Sequence, residues 1–161
     1  MQALFIDRRV AQLLDQGRRA RDTGDYISAL HSYKAAAHVR KSSDALTNWG
    51  AMEHFLGDTR RAIELCREAI ELDPECGNPY NDIGSYLVVM GRPEEAIAWF
   101  KKAIAAKRSE PRQFPHINLG KLYLSRKDYQ QALHHFEEAL HHDPDDLEIR
   151  EIVQAIRGTM Q

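Results

Sequence analysis

Apolar residues in this chain recur at helical rather than strand spacing, and polar breaks cut the pattern into short, regular pieces. The stretch Ile117 to Pro144 shows it most clearly: two apolar patterns with a period near 3.6 flank a polar break at Ser125–Asp128. Applied along the whole chain, the pattern predicts pairs of helices joined by tight turns. The first pair runs from Ala3 or Val10 to Asp22 and from Tyr26 to Arg40, turning at Gly24-Asp25. The second runs over Asp44–Leu56 and Arg60–Leu72, turning at Gly57-Asp58 and closing at Asp73-Pro74. The third spans Pro79–Met90 and then a helix from Pro93 to about Ala106, with Pro93 suited to a first helical turn. The fourth spans Pro115–Ser125 and Tyr129–His142, closing at Asp143-Pro144. A ninth helix is expected over Asp145–Arg157, with acidic residues at its start and Gly158 as its stop.

The pairs repeat one another. Gly17, Gly50, Gly84 and Gly120 are 33, 34 and 36 residues apart. Twelve residues after each lie Ala29, Ala62, Ala96 and Ala132; sixteen after lie Tyr33, Cys66, Phe100 and Phe136; nineteen after lie Ala36, Ala69, Ala103 and Ala139. Small residues on facing helices let two backbones approach closely, and the bulky column is expected to fill the space between one pair and the next. A single pair cannot bury its apolar face, so neighbours must stack. The longer third spacing falls at Lys107–Arg112 and reads as a looser turn or a lengthened helix end.

These columns resemble the tetratricopeptide repeat pattern over about residues 10–144, best in WGAMEHFLGDTRRAIELCREAIELDP (49–74) and LGKLYLSRKDYQQALHHFEEALHHDP (119–144). Gln16, Glu53 and Cys66 depart from it, and Lys41-Ser42 stand where a closing proline is usual. The resemblance implies an all-α, right-handed α-α superhelix of four helix-turn-helix repeats (about 10–42, 43–76, 77–112 and 113–146) with a C-terminal capping helix (about 145–158), one domain over 1–161. It also implies a concave groove lined by the first helix of each pair, binding a peptide or partner helix without chemistry.

The groove face follows from geometry alone. At about 100° per residue, the face opposite the packed glycine holds the residues at −6, −3, −2, +1, +4 and +5. Unit one gives Ala11, Leu14, Asp15, Arg18, Arg21 and Asp22; unit two gives Asp44, Thr47, Asn48, Ala51, His54 and Phe55. Unit three gives Asn78, Asn81, Asp82, Ser85, Val88 and Val89; unit four gives Phe114, Ile117, Asn118, Lys121, Leu124 and Ser125. The partner-binding candidates among them are Leu14, Arg18, Arg21, Asn48, His54, Phe55, Asn81, Ser85, Val88, Val89, Ile117, Asn118, Lys121 and Leu124. Apolar side chains mixed with amides, which both donate and accept, suit a peptide with apolar anchors. A charged clamp for the C-terminal carboxylate of heat-shock chaperones is disfavoured, because Asn78 and Asp82 stand where cations are needed.

Other chemistry is thin. Cys66 reads as core and Cys76 as an exposed thiol; two cysteines make no disulfide framework, so a reducing, cytoplasmic setting is expected. His134, His135, His141 and His142 lie 1, 6, 7 and 8 residues apart, never the 3 or 4 that pairs ligands one turn apart, and read as a solvated outer face rather than a metal site. No phosphate loop and no nucleophile with a base stands out, so no enzyme activity and no cofactor are expected. Ala3–Ile6 is too short an apolar run for a signal peptide and no run approaches a membrane span. Net charge is −2, with residues 1–42 at +4 and 128–161 at −6; no basic cluster interleaved with aromatics argues for nucleic acid. Two other functions fit the same residues: a small chaperone of secreted or translocated proteins, with EPRQFP (Glu110–Pro115) as a weak hint, and a scaffold assembling weakly head to tail through its opposite charges.

Overall fold

A computed structural model describes residues 2–109 and 111–160, so Glu110 of the EPRQFP turn lies outside the described residues. These form nine helices: α1 (Gln2–Asp22), α2 (Tyr26–Val39), α3 (Ser43–Phe55), α4 (Thr59–Leu72), α5 (Asn78–Val89), α6 (Pro93–Ala105), α7 (Gln113–Ser125), α8 (Tyr129–His142) and α9 (Leu147–Thr159). They pack as antiparallel pairs stacked side by side into a right-handed superhelix. Among the odd-numbered helices α5 touches both α3 and α7, and the three form the inner layer.

Local chemistry fixes where each second helix begins. Asp25, Asp58 and Asp128 accept from the backbone N–H three residues on, at 3.0, 2.9 and 3.2 Å. The residue before each aspartate turns the chain through the left-handed region: Gly24, Gly57 and, in the fourth pair, Lys127 at φ 59°. Gly91 turns the third pair in the same way. A lysine there carries a steric cost of about 1–2 kcal/mol that glycine does not. Lys127→Gly is therefore expected to raise stability by roughly 1 kcal/mol in urea unfolding, after glycine's greater freedom in the unfolded chain is subtracted; an unchanged midpoint would count against this turn.

The glycine column meets the bulky column of its own pair as well as the alanine column. The ring lies on the glycine of its own pair and reaches the next one as well: Tyr33 shares a core with Met52, Phe100 with Leu119 and Leu122, and Phe136 with Ile149 and Val153. A Cβ added at Gly17, Gly84 or Gly120 would fall 2.6, 2.5 or 2.8 Å from the ring of Tyr33, Phe100 or Phe136. In the second pair Cys66 replaces the ring, and the same added atom meets the Ala62 carbonyl at 3.1 Å instead. The thinner side chain lets the two backbones close up. Tyr33, Phe100 and Phe136 are all at most 1% exposed.

Two further expectations change. Gly158 does not stop α9, which runs to Thr159; its N-cap is Asp146, accepting from Ile149 N–H at 3.0 Å, so the helix starts two residues later than its acidic run suggests. Ile149, Val153 and Ile156 of α9 bury against α8 and close the stack. The extra residues between the third and fourth pairs neither lengthen α6 nor loop freely. They fold back on the α4–α5 turn: Arg108 N–H donates to the Glu75 carbonyl at 3.0 Å, Gly77 N–H donates to the Arg108 carbonyl at 2.6 Å, and the Arg108 guanidinium meets Asp73 at 2.5 Å. Ser109 is buried there, so close to Gly77 that a side chain on Gly77 would strike it.

Candidate functional site

The concave side carries two neighbouring pockets. The first, of about 200 Å³, is lined by Asp44, Thr47 and Asn48 of α3, Asn78, Asn81 and Asp82 of α5, Phe114 and Pro115 of α7, and Ser109 and Pro111 of the folded-back loop. The loop forms one end wall, and only the 36-residue spacing hints at it in the sequence. The second, of about 350 Å³, lies between α5 and α7. Ser85, Val88, Asn118, Lys121, Leu122 and Ser125 line it, and Phe100 of α6 lies at its base.

An amide bridge divides the two pockets. Asn118 Nδ2 donates to Asn81 Oδ1 at 3.0 Å and reaches Ser85 Oγ at 3.4 Å, while Ser85 Oγ donates to the Asn81 carbonyl at 3.1 Å. Three helical turns from two units are thereby held in register. In α3 the matching Asn48 donates instead to the Asp44 carbonyl at 2.8 Å.

Asp82 is the electrostatic feature of this face. Its column, two before each glycine, otherwise holds Asp15, Asn48 and Asn118. Asp15 is paired with Arg19 at 2.8 Å. Asp82 is half-buried and makes no ion pair among the described residues; burial pushes its carboxyl up to about 7, opposed by a hydrogen bond from Asn81. Its charge in turn raises the Tyr86 phenol and the Cys66 thiol, both already raised by burial.

The candidates named from spacing fall into three groups. Asn48, Asn81, Ser85, Val88, Asn118 and Lys121 line the two pockets. A second group points elsewhere. Ile117 is 9% exposed and shares a core with Phe136 and Ile149, because α9 covers that side of the fourth pair. Leu14 and Leu124 are partly buried against cores. His54 bonds Thr59 Oγ1 at 3.0 Å and its ring meets Tyr86 at 4.5 Å, with burial lowering its pKa. The third group lies off the pockets and is exposed except for the half-buried Arg21. Phe55 stacks flat on Tyr26 of α2 at 4.9 Å; Val89 is 68% exposed; Arg18 is exposed and Arg21 pairs with Asp22 at 3.0 Å.

Two residues outside the groove also differ from expectation. Cys76 is 9% exposed rather than open, because the folded-back loop lies over it. His135 is buried, not solvated: its Nδ1 lies 3.3 Å from His116 Nδ1 of α7 and its ring stacks on Tyr123. Gaps counted within α8 could not reveal a partner on another helix. Burial lowers the pKa of both, that of His135 to about 4.

Profiles of the tetratricopeptide repeat match residues 14–75, 55–111 and 115–146. Small glutamine-rich tetratricopeptide repeat-containing protein 2 of Mycosarcoma maydis is 29% identical over 94 residues, 58% of this chain and 27% of that protein. Photosystem I assembly protein Ycf3 of Prochlorococcus marinus is 25% identical over 111 residues, 62% of this chain and 64% of that protein. The chain thus spans less than two thirds of either relative. Among solved structures, that of Pseudomonas aeruginosa PilF superposes with a TM-score of 0.85 at 20% identity, covering 96% of this chain and 70% of the other, a likeness of fold. No helix among the described residues is long and apolar enough to cross a membrane. With helix pairs, glycine and alanine columns and family profiles in agreement over most of its length, the chain belongs to the tetratricopeptide repeat family.

Proposed function

We propose that this chain is a non-enzymatic scaffold that binds a peptide or helix of a protein partner along its concave groove, in a reducing cytoplasmic setting. The observation that carries this is the open slot between α5 and α7. Apolar surface from Val88 and Leu122 lies there beside the amides of Asn81 and Asn118. Such a mixture fits an apolar anchor and a peptide backbone together. The two buried thiols, Cys66 and Cys76, form no disulfide and are consistent with the setting.

Val88→Asp tests the function. Val88 is 38% exposed, so the change is expected to leave stability within about 0.5 kcal/mol. It also sets a charge where an apolar anchor would sit. Proteins captured from the native cell extract by the wild-type chain are expected to be absent with Val88→Asp and retained by Arg60→Ala, an exposed position on α4. Equal capture by a folded Val88→Asp would rule the groove out.

A further inference from the structure

We infer that the groove takes a peptide that sets a Lys or Arg side chain against Asp44 and Asp82 and an aliphatic side chain against Val88 and Leu122; this rests on the groove function proposed above. Charge complementarity sets the polarity. The pocket at the α3–α5 end carries two carboxylates, and no Lys or Arg lines it. Neither Asp44 nor Asp82 forms an ion pair among the described residues, whereas Asp15, in the Asp82 column, has Arg19. That column holds an amide in two of the four units, Asn48, which bonds within its own helix, and Asn118, which bonds Asn81 across units, so the stack tolerates a neutral residue there and does not require an acid at 82. A half-buried carboxylate without a cation is costly to keep, and a cation brought by a ligand would offset that cost.

The neighbouring slot is apolar at its base. Leu122 is 8% exposed and Phe100 1%, giving it an apolar floor, and Lys121 stands at its rim with no ion pair among the described residues. A cationic ligand residue is repelled at the α7 end and attracted at the α3–α5 end. The two pockets adjoin at the Asn81–Asn118 bridge, so one short peptide can reach both.

The test is selection from a displayed library of random peptides against the full chain. Enriched peptides are then synthesised and titrated by fluorescence polarisation against wild type, Asp82→Asn and Val88→Asp. Enriched sequences are expected to carry Lys or Arg near Leu, Ile or Val. Asp82→Asn, which keeps the side-chain shape, is expected to weaken them about tenfold, the worth of one charge-assisted contact. Val88→Asp is expected to abolish binding. Neutral or acidic peptides that Val88→Asp abolishes and Asp82→Asn leaves unchanged would overturn the cation assignment while leaving the groove function standing. No enrichment, or peptides insensitive to both changes, would overturn both. Sedimentation of the unliganded chain is expected to show a monomer; association abolished by Val88→Asp would give the groove to a second copy and overturn the peptide assignment.

Discussion

Replacing Phe100 by alanine is expected to cost the fold about 3–5 kcal/mol, the usual range for a fully buried phenylalanine. The ring is 1% exposed and lies so close to Gly84 that no Cβ fits between them. Nothing nearby can fill the space: Ala96 is fully buried, Ile83 and Leu87 nearly so, and all are held by their own helices. A typical domain has only about 5–15 kcal/mol in total, so the loss is a large fraction of it. Because Phe100 is also the base of the slot, the variant should bind groove peptides poorly under conditions where it still folds. Urea unfolding followed by Trp49 and Trp99 fluorescence checks the first point, and a cost under about 1 kcal/mol would contradict the packing described. Cys66→Ala, in the matching position of the second pair, should cost far less, because a thiol fills much less volume than a ring.

The second large effect concerns acid. His135 is held at about 4 against an ordinary value of 6.5. Between those pH values the unfolded chain binds a proton that the folded chain does not, so stability falls as pH drops from about 6.5 to 4. At about 1.4 kcal/mol per pH unit this approaches 3 kcal/mol. The surroundings agree on direction: burial dominates, and His116, His134 and Lys101 outweigh Glu138. Asp82 acts with the opposite sign. Held at about 7 against an ordinary 3.8, it binds a proton in the folded chain first, so its cost is full above pH 7 and is relieved as pH falls. That cost is at most about 4 kcal/mol. The two contributions nearly cancel in the wild type. Asp82→Asn is therefore expected to be more stable than wild type at pH 8–9, by up to about 4 kcal/mol. It should then lose that advantage on acidification, while His135→Phe should grow more stable relative to wild type toward pH 4. Difference curves from urea unfolding across pH isolate each group. A parallel Asp82→Asn curve, or one lying below wild type at pH 8, would contradict the burial of that carboxylate.

A stability gain from removing Asp82 would fit a residue kept for binding rather than for folding. Stability sacrificed at one half-buried carboxylate on the groove face is what a ligand site predicts and a pure spacer does not.

The fold was legible because four copies of each column report on one another. Gly84 alone says little; Gly84 with Ala96, Phe100 and Ala103, in step with three other sets, implies a helix pair that must stack. The columns placed the ring toward the next pair but did not show that it also covers the glycine of its own pair, since a sixteen-residue offset suits both. The groove face was legible through helical geometry, and it located Asn48, Asn81, Ser85, Val88, Asn118 and Lys121 on the pocketed side. Ile117 escaped that logic because α9 adds a second covered side to the last pair. The His116–His135 contact and the loop wall at Ser109 are tertiary facts between segments 19 and more residues apart, with no local period to betray them.

Partner binding is expected on the inner face of α3, α5 and α7. Its most direct measurement is a two-dimensional NMR titration of the isotope-labelled chain with a peptide from the selection. Shift changes are predicted at Asn48, Asn81, Asp82, Ser85, Val88, Asn118 and Lys121, with α2, α4, α8 and α9 left nearly unmoved. Changes centred on the outer helices, or on α9, with the inner face silent, would contradict it.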